Sequence, residues 1–163
     1  MKRIVVIGIV SYLAFVLEFL LYNFWGPWGK PELLILVVIF FNLYLGVRFG
    51  LIAAFLCGLF KDSTGIAPFG TYIFIYIAGS YLTVLVRKYL YQPGSRFSRA
   101  LVSFFVVIGA FLIQVILTNM NHEVRVYDLV AYVLVPQLLT TVIAATFIFS
   151  QLLNISNFFK LKS

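Results

Sequence analysis

The sequence predicts an all-α integral membrane protein of about six transmembrane helices, and three observations lead there. Hydrophobic residues make up 63% of the 163 positions, charged residues only 10%, and the mean hydropathy is +1.08, well above the range of soluble domains. Long apolar runs alternate with short connections, and most of the twelve Lys and Arg residues fall in alternate connections. Residues 1–163 therefore form a single transmembrane domain without a separate aqueous module.

The first apolar run is long enough to cross a hydrocarbon layer of ~30 Å and too long for a cleavable signal peptide. The stretch from Leu33 to Phe60 carries one charge, Arg48. It could form one long helix or two short helices joined near Gly46 and Gly50. With two helices there, the predicted spans cover roughly 4–24, 32–46, 48–61, 70–87, 100–119 and 127–153.

The distribution of basic residues selects the six-span arrangement, because cytoplasmic connections of membrane proteins are enriched in Lys and Arg. Six spans with cytoplasmic N and C termini leave only Lys30, Lys61 and Arg125 outside. Five spans would move most basic residues outside and leave Arg48 in lipid. Spans 2 and 3 then form a short helical hairpin in a bacterial cytoplasmic (inner) membrane. The basic residues inside would be Lys2, Arg3, Arg48, Arg87, Lys88, Arg96, Arg99, Lys160 and Lys162.

The net charge of +7 is explained by this membrane setting. Basic residues that flank apolar spans meet anionic lipid headgroups. We therefore predict the lipid membrane as their partner and no nucleic acid.

Small residues recur at every fourth position of the third span, and this spacing permits close approach of two helix backbones in lipid. The stripe is either a docking seam for a partner's helix or ordinary packing inside the protein. We favour internal packing because such spacing is common in membrane helices. The stripe consists of Gly46, Gly50, Ala54, Gly58 and Asp62.

Glu18 is the acidic residue placed within a predicted span, where transfer of a charged carboxylate from water costs free energy. It shares a helix face with Ser11 and Ala14, which predicts that it points into protein. A proton or ion site is one interpretation. We favour a protonated or hydrogen-bonded packing contact, because no second acid or base is predicted inside the membrane to relay a proton. Small and polar residues on the last two spans, among them Ser103, Ala110, Gln137, Thr141 and Ala145, predict further helix interfaces.

Acidic residues also occur at two predicted helix ends. Pro31 suits a first helical turn, and Glu32 suits the positive end of the helix dipole, so together they are expected to cap the second span. Asp62 ends the third span, where its charge opposes the dipole. It could bind amides of the loop that starts with Ser63, or it could contact a partner directly.

Three motifs occur in order along the middle of the chain. They are Pro31-Glu32-Leu33 at the start of a span, the Gly-rich third span ending in Gly58-Leu59-Phe60-Lys61-Asp62, and Pro68-Phe69-Gly70 before the next span. In this order they resemble the MreD family of rod shape-determining membrane proteins. The resemblance implies a component of the elongasome that supports lateral peptidoglycan synthesis and cell shape. It also implies binding to MreC, a single-span protein with a periplasmic domain, and indirect connection to RodA, its penicillin-binding protein partner and MreB.

No arrangement of residues predicts catalysis, a cofactor or a metal. Convergent carboxylates, metal-ligand spacing and a nucleophile paired with a histidine are all missing from the sequence. We therefore expect a non-enzymatic scaffold. The alternative is the substrate-binding subunit of an energy-coupling-factor vitamin importer, which has a similar overall architecture.

Overall fold

The computed structural model describes residues 2–25, 31–64, 68–90, 96–119 and 135–158, and within these ranges every element is a helix. The predicted all-helical class is confirmed for this part of the chain. Lys30, Arg125, Lys160, Lys162 and residues 127–134 of the predicted sixth span lie outside it. The helices are α1 (Lys2–Trp25), α2 (Leu33–Leu45), α3 (Val47–Thr64), α4 (Thr71–Leu90), α5 (Arg96–Asn119) and α6 (Val135–Phe158).

Within the described ranges, three helices are long and apolar enough to cross a membrane, and they contain the segments Arg3–Phe24, Phe97–Leu117 and Val135–Leu153. Each carries large apolar side chains on an outward face, such as Leu13, Leu112 and Ile143, all more than half exposed. Exposed apolar faces of this extent are suited to contact with lipid tails. The protein is a multi-pass membrane protein.

The short helix α2 forms the centre of the bundle. All residues from Leu33 to Leu43 are buried, and α2 packs against each of the other five helices. A helix that is apolar on every side must be covered on every side. The sequence of α2, LLILVVIFFNLYL, contains Asn42 as its one strongly polar side chain.

The break between α2 and α3 falls at Gly46, whose φ of 92° is accessible to glycine at little cost. The long stretch therefore forms two helices, as the basic-residue distribution predicted. Gly50 then packs on Asn42, which donates hydrogen bonds of 2.7 Å to both the carbonyl and the hydroxyl of Ser80 in α4. At 18 residues, α3 is longer than the predicted 48–61.

The helices alternate in direction, and their contacts define two ends of the bundle. At one end, Arg3 of α1 lies over the ring of Phe49 in α3, and Arg99 of α5 contacts Tyr44 of α2. We call this the basic end, because it also carries Arg48, Arg87 and Lys88. We call the other end the cluster end; it holds Glu32, Lys61 and Asp62.

Candidate functional site

Three ionisable side chains meet inside the bundle near the cluster end, and we call them the ion cluster: Glu18 of α1, Glu32 before α2, and Lys61 of α3. All three residues are buried, with exposed fractions of 3%, 8% and 8%. The Lys61 ammonium donates a hydrogen bond to Oε1 of Glu18. Its Nζ atom also lies 3.9 Å from Oε1 of Glu32. One cation is thus placed between two carboxylates that come from different parts of the chain.

The surroundings of the ion cluster connect it to further helices. Oε2 of Glu18 accepts a hydrogen bond of 3.2 Å from the amide of Leu34 in α2. The Lys61 ammonium lies 5.7 Å from the ring centre of Tyr72 in α4, within the range of a cation–π contact. The amide of Glu32 donates to the hydroxyl of Thr141 in α6 at 3.1 Å. Five of the six described helices therefore contact this site.

The position of Lys61 supplies a partner for Glu18 that the sequence did not indicate. Lys61 was predicted on the outer side of the membrane, which stays a prediction, and its side chain is buried against Glu18. Glu18 does point into the protein beside Ser11 and Ala14, as its helix face predicted, but it has a basic partner within the bundle. Since burial of a single charge is costly, pairing explains how both groups can be accommodated. The contacts of Glu18 are those of a packing contact, and its use as a proton or ion site stays a prediction.

Asp62 organises the connection between α3 and α4. Its carboxylate accepts hydrogen bonds from the amides of Gly70, Tyr72 and Ile73 at 3.0, 3.0 and 3.2 Å. These amides open α4, so Asp62 caps the next helix in the chain and lies at the favourable end of that helix's dipole. The expected amides near Ser63 are not the ones used, because α3 continues to Thr64 and helix amides bond within their own helix.

Gly70 is required by this cap. Its φ of 99° lies in the region that favours glycine, and its amide is one of the three that Asp62 binds. The motif that ends in Gly70 therefore has a local structural role: the chain turns at Gly70, and this turn directs the amides at the start of α4 toward the Asp62 carboxylate.

Two glycines of the small-residue stripe on α3 pack closely against neighbouring helices of the same protein. A Cβ atom on Gly58 would lie 2.5 Å from the Cα atom of Ile73 in α4. A Cβ atom on Gly50 would lie 2.8 Å from the Cβ atom of Asn42 in α2. Ala54 is fully buried. At these positions the structure shows the favoured interpretation, internal packing; a partner contact elsewhere on the stripe stays a prediction.

Pro31 and Glu32 differ from their expected roles. The helix begins at Leu33, so Pro31 lies before the N-cap and not in the first turn. Glu32 occupies the N-cap but makes no side-chain capping hydrogen bond to its own helix. Its carboxylate instead faces Lys61, a non-local contact that the local pattern did not indicate.

Most of the residues predicted as interfaces on the last two helices are covered by neighbouring helices. Ser103, Ala110, Thr141 and Ala145 are buried, and Gln137 is half-buried. Within the described ranges, no group of three His, Cys, Asp or Glu residues is placed to hold a metal ion. The chemistry that the site supports is electrostatic: it joins helices through paired charges inside the bundle.

Comparison with known proteins assigns a family to the chain. The sequence model described as rod shape-determining protein MreD matches residues 1–159. No curated protein and no solved structure gives a match.

Proposed function

Because this chain belongs to the MreD family of rod shape-determining proteins, we propose that it is a non-enzymatic membrane scaffold that binds MreC. The family assigns the protein a role in cell shape. In the proposal, the protein holds the membrane helix and the adjoining periplasmic part of MreC in one orientation, and this supports lateral peptidoglycan synthesis. Its connection to RodA, the penicillin-binding protein and MreB is indirect.

The observation that carries the proposal is the ion cluster. Glu18, Lys61 and Glu32 pair α1, α2 and α3 near the cluster end, and Asp62 fixes the start of α4 beside them. A surface that orients a partner must itself be rigid, and buried paired charges bonded to backbone amides give that rigidity. We place the cluster end at the periplasmic face and the basic end in the cytoplasm, in agreement with the inner-membrane setting that the basic residues predict.

The packing of α3 limits where a partner helix can dock. Gly50 and Gly58 already contact α2 and α4, so a helix of MreC would have to pack on an outward face. The outward face of α1 is the broadest candidate, with Ile9, Leu13 and Leu17 all more than half exposed. A substitution at Gly58 would disturb α4 and MreC binding alike, and it cannot separate the two.

The first test is co-purification of the full chain with MreC from the native membrane in mild detergent, followed by identification of retained proteins and small molecules. The proposal expects MreC at a fixed ratio to this protein. Absence of MreC, together with a bound vitamin and an ATPase-coupled membrane subunit, would establish the importer in its place.

The second test places a photo-crosslinking amino acid at Leu13 of α1, Tyr81 of α4 or Ile143 of α6, each exposed. A crosslink to the membrane helix of MreC from one of these faces locates the interface. The matched control is Ala110, which is buried within the bundle and should give no crosslink. Equal yields at all four positions would indicate random contact and contradict a defined interface.

A further inference from the structure

A cleft between α5 and α6 at the basic end has no role in the proposed scaffold. Its volume is about 360 Å³, within the range of about 300–1,000 Å³ found for sites of small ligands. Its walls combine one basic side chain, two hydroxyl groups and an apolar floor. The lining residues are Arg99, Ala100, Ala145, Thr146, Phe147, Phe149, Ser150 and Leu153.

The polar side of the cleft carries positive charge. Arg99 is half-buried, and its Nη1 atom donates to the hydroxyl of Tyr44 at 3.4 Å, a contact that helps to hold the guanidinium in place at the cleft. The cleft also lies at the beginning of α5, which starts at Arg96, so the positive end of that helix dipole adds to the charge of Arg99. No Asp or Glu is among the residues that line it. The chemistry is therefore suited to an anionic group with several oxygen acceptors.

The apolar side of the cleft continues onto the outer surface of α6. Phe147 lines the cleft and is 73% exposed. Ile143 and Leu139 follow one and two helical turns further along the same face, both exposed. A ligand with an anionic head at Arg99 would find its apolar tail against this stripe.

We propose that this cleft binds an anionic phospholipid, with the phosphate headgroup beside Arg99, Thr146 and Ser150 and an acyl chain along Phe147, Ile143 and Leu139. The position at the basic end fits the same ligand, given the cytoplasmic placement of that end under the proposed function. Anionic lipids are enriched in the cytoplasmic leaflet, and basic pockets between membrane helices recognise their headgroups. The lipid would fill the space between α5 and α6 and strengthen an interface that side-chain packing alone leaves open.

The test measures retention of phosphatidylglycerol and of phosphatidylcholine with the same acyl chains, by native mass spectrometry of the purified full chain. The proposal expects phosphatidylglycerol to be retained preferentially. Arg99→Gln should weaken its binding about fivefold, as expected for one basic side chain at an anionic lipid surface. Arg99→Lys should keep most of the affinity, and Ser150→Phe should reduce it by filling the cleft while Arg99 stays in place.

The matched control is Arg87→Gln, which removes the same charge from an exposed position at the end of α4 and should leave binding unchanged. The proposal is overturned if the two lipids are retained equally, or if Arg99→Gln and Ser150→Phe both bind as the unmodified protein does. It is also overturned if glycerol phosphate alone raises the thermal midpoint as much as phosphatidylglycerol, since the site would then recognise a free anion.

Discussion

Helices α1–α4 and helices α5–α6 differ in the contacts that hold them in the bundle. Within α1–α4, buried polar side chains join the helices: Glu18 pairs with Lys61, and Asn42 binds Ser80. The α5–α6 pair meets α2 through apolar contacts such as Phe149 against Phe40 and through hydrogen bonds at Thr141 and Arg99, and a cleft opens between the two helices themselves. Because lipid removes the hydrophobic force between helices, the buried Glu18–Lys61 pair should make α1–α4 the more resistant unit.

The largest expected effect comes from removing the cation of the ion cluster. Lys61→Met leaves Glu18 and Glu32 buried without their shared partner and should lower the free energy of unfolding by about 3–5 kcal/mol. Denaturation of the purified protein in mixed micelles measures this loss. Glu18→Gln combined with Lys61→Met should recover part of it, because one of the unpaired charges is then removed.

The control for Lys61→Met is Lys88→Met, which removes the same group from an exposed position at the basic end. It should change the free energy of unfolding little. If both variants unfold alike, the charge pairing does not hold α1–α4 together, and the contrast with α5–α6 fails.

A smaller effect is expected from closing the space between α3 and α4. Gly58→Ala places a Cβ atom 2.5 Å from backbone of Ile73, so α4 must shift, and we expect a loss of about 1–3 kcal/mol. Gly8→Ala is the matched control, because no atom lies within 4 Å of a Cβ there. Equal unfolding midpoints for the two variants would mean that α3 and α4 do not meet at Gly58.

The division into helices could be read from the sequence, because it depends on local features. Six runs, the break at Gly46 and the inward direction of Glu18 follow from hydropathy, basic-residue placement and helix periodicity. The burial of α2 on all sides also has a local signal, since its 13 residues include Asn42 as the one strongly polar side chain.

The ion cluster could not be predicted from local sequence features, because its members are distant in sequence. Glu18 and Lys61 are 43 positions apart, and the positive-inside rule assigns a lysine by its connection and ignores its partner. A signal did exist: a carboxylate within a span requires a partner, and Lys61 ends the span that packs on α1. The hydrogen-bond donors to Asp62 were not predicted for a related reason: they are the backbone amides of Tyr72 and Ile73, which belong to the following helix.

The smallest expected effect concerns Thr141, through which α6 contacts the residue that opens α2. Thr141→Val keeps the side-chain shape but removes the acceptor of the Glu32 amide, and hydrogen bonds between membrane helices contribute about 0.6 kcal/mol on average. Thr140→Val is the matched control, because the Thr140 hydroxyl bonds to carbonyl groups of its own helix, at Pro136 and Gln137. We expect Thr141→Val to lower the unfolding midpoint more than Thr140→Val and to raise amide hydrogen exchange in α6 while leaving exchange in α3 unchanged. Faster exchange in α3 as well would mean that α6 supports the ion cluster directly, and the bundle would then have to be treated as one cooperative unit.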